Sequence, residues 1–300
     1  MKRMTLLVPF FLLVAPGSAS GQANDPPSGE ISLEVLKVHF PRESESALSY
    51  LEEATFSAVI TLSGRIRFHE DFSVVAEVPF SYVNGNTNGC VDAYCEVGVS
   101  RTVLNNPYFG LDWQTPMTGV ELSFGMRPGI QTANRLHNGG DWDKRWGGLA
   151  TEMGVFGDQV DRVEAYLPKV TSGSAALSYR TRPVQNFSLI AFARYVAMYQ
   201  PDAEGYVHGP DGDNYEHHLH FGGNLALAID GWAVGGGVHA RDYRSAEYLS
   251  DRLFYQAEVN VSKGFGSIRV HGQFRHPFGN LRSRLWVDRS VQFGVVYAVR

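Results

Sequence analysis

The chain is poor in charge, in basic excess, in cysteine and in long apolar runs, and each shortage closes off a class of protein. Charged residues make up 19% of it, below the ~25% usual for soluble domains. Its 26 Lys and Arg face 31 Asp and Glu, a net charge of −5, so no nucleic-acid partner is expected. Cysteine occurs twice, as Cys90 and Cys95 in "GCVDAYCEVG". That is too few for a disulfide scaffold, and no further ligands lie beside them for a metal site. In an exported chain their closeness suits a small disulfide-closed loop. After the N-terminal segment, no apolar run approaches the ~20 residues that a bilayer-spanning helix needs. Mean hydropathy is −0.18, a value that hydropathy scanning assigns to soluble proteins and to β-barrels alike.

The N-terminus reads as an export signal. Lys2 and Arg3 precede an apolar run from Met4 to Ala15, followed by the small residues of "PGSASGQA". This order predicts a signal peptide over residues 1–23, cut near Ala19 to Ala23. Residues 24–300 then form one domain.

Beyond it, apolar and polar residues alternate over long stretches. "TFSAVITLSGRIRF" sets Ile60, Leu62, Ile66 and Phe68 against Thr61, Ser63, Arg65 and Arg67. "SIRVHGQFRH" sets Ile268, Val270 and Phe274 against Arg269, His271, Gln273 and Arg275. The last residues, "RSVQFGVVYAVR", put Val291, Phe293, Val295, Tyr297 and Val299 on one face. Period two over ten or more residues means strands longer than those of ordinary soluble sheets.

The connections alternate as well. Short ones fall at 69–71, 114–116, 182–185, 230–231 and 263–266; long ones at 41–53, 85–104, 130–168, 199–213, 244–250 and 277–286. Twelve strands are predicted between them, at 30–40, 54–67, 72–84, 105–114, 117–129, 170–182, 186–198, 214–229, 232–243, 251–263, 267–276 and 287–300. Short turns at one end and long loops at the other predict an all-β protein, a transmembrane antiparallel barrel of the bacterial outer membrane with periplasmic turns and extracellular loops. The last strand is expected to close on the first. The outward aromatics should form two girdles: Phe68, Phe72, Trp113, Tyr179, Phe187, Trp232 and Tyr297 on the turn side, and Phe40, Phe56, Tyr82, Tyr199, Tyr215 and Tyr255 on the loop side. The expected partners are outer-membrane lipids, lipopolysaccharide, the barrel assembly machinery and small-molecule solutes.

The other face should line a polar lumen. By strand phasing it carries Arg65, Arg67, Arg127, Arg180, Arg241, Arg269, Arg275 and Arg300, with Glu77, Asp112, Glu121, Glu216, Glu258 and Asp288, and His271 among them. In "SLIAFARYVAMY" both faces are apolar, so Ile190, Phe192, Val196 and Met198 read either as an internal patch for hydrophobic cargo or as a seat for an inserted loop. Segment 130–168 is expected to fold into the mouth and narrow it, the alternative being a lid packed on neighbouring loops, with a helix from an Asp158 cap to about Tyr166.

The hairpin "GRIRFHEDFSVVAEVPFSYVNG" and the stretch "NNPYFGLDW" resemble the MetA-pathway-of-phenol-degradation family of outer-membrane proteins, over about a quarter of the chain. Val78-Pro79-Phe80 and Asn106-Pro107-Tyr108 carry the resemblance. It implies a barrel that moves small, often hydrophobic, compounds, and no catalytic residues.

Two sharper chemistries are open to these residues. "PDGDNYEHHLH" offers Asp211, Asp213, Glu216, His218 and His220 to a metal, but a hydrated acidic loop running into a strand accounts for it, and no metal or cofactor is expected. A lipid hydrolase needs a serine near an outward histidine, and His217 has none at strand spacing. The function expected is therefore a passive or weakly selective channel for small solutes, hydrophobic ones included. An outer-membrane hydrolase and a purely structural or adhesive barrel are the alternatives.

Overall fold

The computed structural model describes residues 29–39, 54–85, 99–130, 161–181, 186–201, 214–243, 253–278 and 289–299. The signal segment 1–23, Phe40, Cys90, Cys95, Asp288 and Arg300 lie outside them.

The alternating stretches are strands: β1 Gly29–His39, β2 Ala54–His69, β3 Phe72–Gly85, β4 Val99–Leu104, β5 Tyr108–Gln114, β6 Val120–Arg127, β7 Thr171–Arg180, β8 Phe187–Tyr199, β9 Tyr215–Ile229, β10 Trp232–Tyr243, β11 Leu253–Phe265, β12 Ile268–Phe278 and β13 Arg289–Val299. Each pairs antiparallel with its chain neighbour, apart from the connection between β4 and β5. The sheet closes because β1 pairs with β2 and also with β13, from Gly29↔Val299 to His39↔Arg289. Closure pairs the wall strands on both sides. Among the described residues only β4, held by β3 alone, keeps an unpaired edge, so nearly all backbone groups are satisfied where the wall meets lipid.

Thirteen strands occupy twelve places in the wall, because β4 and β5 are one place interrupted. β4 pairs with the loop-side half of β3 (Phe80↔Leu104) and β5 with its turn-side half (Glu77↔Tyr108). Asn105, Asn106 and Pro107 thus stand opposite Val78 and Pro79, a β-bulge of one extra residue. Pro79 has no N–H to give the ladder there, while its carbonyl accepts the Asn105 N–H at 2.9 Å. The expected strand over 105–114 therefore starts earlier, at Val99, and breaks within. The expected strand from 117 starts later, at Val120. Residues 115–119 form a turn instead, in which Gly119 has φ +80° and a Cβ would sit 2.0 Å from the Arg180 carbonyl oxygen. On the same turn-side rim, Asp230 and Gly231 both take positive φ, the two-residue hairpin turn their sequence calls for.

The two faces are inverted relative to a soluble sandwich. Every place in the wall carries a large apolar side chain outward, from Leu33 at 47% exposure through Ile66 at 66% to Phe293 at 64%. An apolar belt that circles the molecule far exceeds the patches of soluble monomers and requires a hydrocarbon surround. Aromatics gather at its rims. Phe72 stacks between Phe68 (6.2 Å) and Trp113 (6.1 Å) on the turn side, where the Lys263 ammonium lies 4.6 Å from the Trp232 ring. Tyr199 meets Tyr215 at 4.8 Å on the loop side. Inside, the buried side chains are largely Arg, Glu, Asp, His, Gln, Asn and Ser. The protein is a transmembrane β-barrel of the outer-membrane type, and the bacterial outer membrane is its location.

Candidate functional site

The lumen is crossed by residues 161–170, which lead from the long β6–β7 connection into β7. All of them except Lys169 are buried. Their local structure is a single 3-10 turn over Val163–Ala165, with Ala165 N–H donating to Arg162 O at 2.8 Å and Tyr166 N–H to Val163 O at 3.0 Å. The helix expected to run to Tyr166 is thus reduced to one turn among the described residues. Trp142, Trp146, Phe156, Asp158 and Val160 lie outside them. Burial explains the shortening: the segment satisfies its backbone against the wall instead of against itself.

Asn106, at the bulge, is the main clasp. Its backbone N–H donates to Ala165 O at 2.8 Å, and its side-chain amide reaches the carbonyls of Leu167 (2.8 Å), Glu164 (3.2 Å) and Val170 (3.3 Å). Its own carbonyl accepts from Arg127 at 2.8 Å, and Arg127 in turn pairs with Glu77. The extra residue in the wall is what brings Asn106 inward to do this.

Apolar contacts reach opposite walls. Tyr166 and Ala165 pack on Leu36 of β1 and Val59 of β2. Val163, Leu167 and Val170 pack on Val196 and Met198 of β8, Tyr243 of β10 and Phe254 of β11. The patch of Ile190, Phe192, Val196 and Met198 does face inward, yet it is not an open cargo surface. Val196 and Met198 lie under the inserted segment, and Phe192 stands edge-on to His220 (4.8 Å) and His239 (5.2 Å).

The charged contacts are the densest part. Glu164 lies between Arg194 and Arg241, pairing with the first and lying 2.9 Å from the second. Burial alone would raise the pKa of this carboxyl, which belongs to the inserted segment and not to a spanning strand. The two guanidiniums overcome that and hold it well below the ordinary carboxylate value of 4.5. Arg194 also donates to Asp161 O at 3.0 Å, and Arg241 to His218 at 2.9 Å. His218 reaches Glu216 at 2.6 Å. Arg162 lies 3.9 Å from Glu34 on the far wall. Asp161 sits 3.3 Å from His220 and 3.1 Å from His239. A second layer lies toward the turn side: Arg65 meets Glu121 at 3.0 Å and Asp112 at 3.5 Å, with Glu30, Arg67, Arg180 and Arg269 nearby. On β11–β13, Glu258, Gln273, Arg275 and Gln292 form a hydrogen-bonded chain.

Every lumen residue expected from the phasing that is described lies on the inner face: Arg65, Arg67, Glu77, Asp112, Glu121, Arg127, Arg180, Arg241, Glu258, Arg269, His271 and Arg275. Of the acidic–histidine stretch, Glu216, His218 and His220 point inward; Glu216 and His218 pair with each other, and His220 faces Asp161 instead. Asp211 and Asp213 are outside the described residues. His217 is outward, 2.5 Å from the Tyr195 hydroxyl. Strand phasing leaves Glu30, Glu34, Arg194, His239 and Arg162 without a lumen role, puts Asp161 and Glu164 among the acids of a long outer connection, and shows Asn106 only within the motif of the family resemblance. All eight lie in the lumen. The first four had a signal. Glu30 and Glu34 alternate with Ile31, Leu33 and Val35, and His239 shares the parity of Arg241. Arg194 shares the parity of Val196, a face read only for its apolar members.

This is an outer-membrane β-barrel with a charged, internally plugged lumen. No protein-family model and no curated protein matches the chain. Among solved structures it is similar to LpxR from Salmonella typhimurium, at 10% identity and a TM-score of 0.49, covering 89% of this chain and 99% of that one. An outer membrane channel from Pseudomonas putida F1 matches at 7% identity and 0.49, covering 94% and 98%. The NanC porin matches at 7% identity and 0.49, covering 89% and 98%.

Proposed function

We propose that this barrel is a gated channel for small solutes, closed here by residues 161–170. The observation that carries the reading is the seat of Glu164 between Arg194 and Arg241, with Tyr166 and Val163 reaching opposite walls. A barrel with a purely structural role can fill its lumen with wall side chains alone. Here a separate segment does so, fastened largely by hydrogen bonds and ion pairs. Neutral hydrogen bonds exchange for water at a net cost of about 0.5–1.5 kcal/mol each and those to charged groups at about 1.5–3 kcal/mol, while the wall's own ladder stays intact, so the segment can leave without dismantling the sheet. Its departure would bare Val196, Met198 and Tyr243, an apolar strip beside Arg194 and Arg241. That strip suits small hydrophobic solutes with a polar or acidic end, and the family resemblance around Asn106-Pro107-Tyr108 favours the same class.

Planar-bilayer conductance tests this directly. The wild-type protein is expected to be mostly closed with brief openings, and a variant lacking 161–167 to conduct steadily and to support liposome swelling with a small sugar. Folded deletion variants that neither conduct nor admit the sugar would overturn the channel reading.

A further inference from the structure

Asp161, His220 and His239 converge from the inserted segment, β9 and β10, and their mutual contacts have a geometry that an ion pair alone does not require. Each offers one ligand atom, and the three atoms lie within 4.8 Å of one another. Asp161 Oδ1 is 3.3 Å from His220 Nε2 and 3.1 Å from His239 Nδ1. In a tetrahedral zinc site with bonds of about 2.0–2.1 Å, neighbouring ligand atoms stand roughly 3.3 Å apart. Two of the three edges therefore already have the length that a shared ion would impose.

His220 supplies an independent observation. It is 4% exposed, yet neither ring nitrogen has a hydrogen-bond partner among the described residues. A buried imidazole with both nitrogens unsatisfied costs about 1–3 kcal/mol for each unmet group. An ion at Nε2 would remove that cost on the side facing Asp161. His239 is supported from behind: its Nε2 lies 3.5 Å from Glu258 Oε1 and 3.3 Å from the Asn224 amide. A metal on Nδ1 would put the proton on Nε2, where Glu258 Oε1, or the Asn224 side-chain oxygen once that amide is flipped, can accept it. Both oxygens have no hydrogen-bond partner among the described residues, and such an acceptor is the outer-sphere arrangement that fixes ligating histidines. The Glu258 carboxylate is itself held by Gln273.

We infer that Asp161, His220 and His239 form a binding site for a divalent transition metal of the zinc type, with Glu258 orienting His239. Two imidazoles and one carboxylate make a donor set suited to zinc, cobalt or nickel and poorly suited to calcium or magnesium, which prefer oxygen ligands throughout. Asp161 belongs to the inserted segment, whereas His220 and His239 belong to β9 and β10, so the ion joins plug to wall. The site itself does not depend on whether the barrel conducts.

The test uses the full-length protein folded in detergent, stripped with a chelator and titrated with Co2+ alone. One equivalent per chain is expected, with the intense visible bands of a four-coordinate site. His220→Gln should abolish that equivalent, and Glu258→Gln should weaken it roughly 10- to 100-fold. Heat-modifiable gel mobility shows whether each variant has folded. Weak bands of octahedral type only, or full uptake by folded His220→Gln, would overturn the site. X-ray absorption on the zinc-loaded wild type gives an answer without any variant. Two imidazoles with one carboxylate support the proposal. A thiolate shell would move the ion to Cys90 and Cys95, and an oxygen-only shell to acidic side chains elsewhere; either result refutes it.

Discussion

Replacing Glu164 by glutamine leaves the guanidiniums of Arg194 and Arg241 facing a neutral amide in a space closed to water. Removing one partner of a buried ion pair costs about 3–5 kcal/mol, as much as the full burial of one or two apolar side chains of the segment. The segment is therefore expected to undock before the full cost is paid, and trypsin should cleave Glu164→Gln after Arg162, a site buried in the wild type. Unchanged resistance at Arg162 would show that the ion pairs do not hold the segment. The same carboxyl sets an acid limit. Because its pKa is depressed by docking, the stability it contributes is fully present above the ordinary value of 4.5 and is lost only as pH falls through the lower, docked value. Tryptic release at Arg162, assayed after brief acid exposure, should stay flat from neutrality to about pH 5 and rise well below it, a step that Glu164→Gln should lack. The lumen roles of Glu164 and Asn106 are not legible in the sequence, and the reason is physical. Their partners lie 30 to 77 residues away along the chain for Glu164 and 21 to 64 for Asn106, and period two locates a face without saying what crosses the lumen to meet it.

At the scale of elements, β5 and β6 show how wall and interior are fitted together. Tyr108 turns into the lumen and lies across two glycines of adjacent strands. A Cβ on Gly110 would sit 2.4 Å from its hydroxyl oxygen, and one on Gly125 would sit 2.1 Å from it. The ring also lies 5.2 Å from the Arg127 guanidinium, which ties it to the Glu77 pair and the Asn106 clasp. Gly125→Ala is expected to displace the ring and destabilise the folded barrel by about 1–3 kcal/mol, read from the midpoint of urea-driven unfolding in lipid vesicles. In a Tyr108→Ala background the same change should be nearly neutral. Equal effects in both backgrounds would mean that the glycine serves its own strand and not the ring. Strand positions were legible in the sequence because alternation, rim aromatics and turn chemistry such as Asp230-Gly231 all agreed. The β4–β5 break was not, since Asn105-Asn106-Pro107 reads equally well as the entry to a strand and as a bulge within one.

At the scale of the whole molecule, the lumen is balanced among the described residues and the sequence leaves the acidic excess to the long connections, which decides how an opened pore should select ions. Among the described residues the lumen holds nine arginines (Arg65, Arg67, Arg127, Arg162, Arg180, Arg194, Arg241, Arg269 and Arg275). It also holds nine carboxylates (Glu30, Glu34, Glu77, Asp112, Glu121, Asp161, Glu164, Glu216 and Glu258). The eight arginines and six carboxylates of the phased strands would by themselves give a weak preference for anions at high salt. The inserted segment and β1 supply the missing acids, and the preference goes with the excess. The net charge of −5 must then come from outside the lumen, where the sequence places Glu43, Glu45, Glu52, Glu53, Asp141, Asp143, Asp202 and Glu204 in the long connections that leave the loop-side rim. Their field reaches the mouth only when unscreened: the Debye length is about 3 Å at 1 M salt and about 30 Å at 0.01 M. A pore opened by deleting 161–167 loses Asp161, Arg162 and Glu164 together, one cation and two anions, so its wall gains a single net positive charge. Reversal potentials across a salt gradient should therefore show almost no selectivity, at most a slight anion preference, near 1 M. A clear cation preference should emerge near 0.01 M as the acidic rim repels anions before they enter. Strong anion selectivity persisting at 1 M would mean that the lumen arginines are not neutralised by the carboxylates beside them.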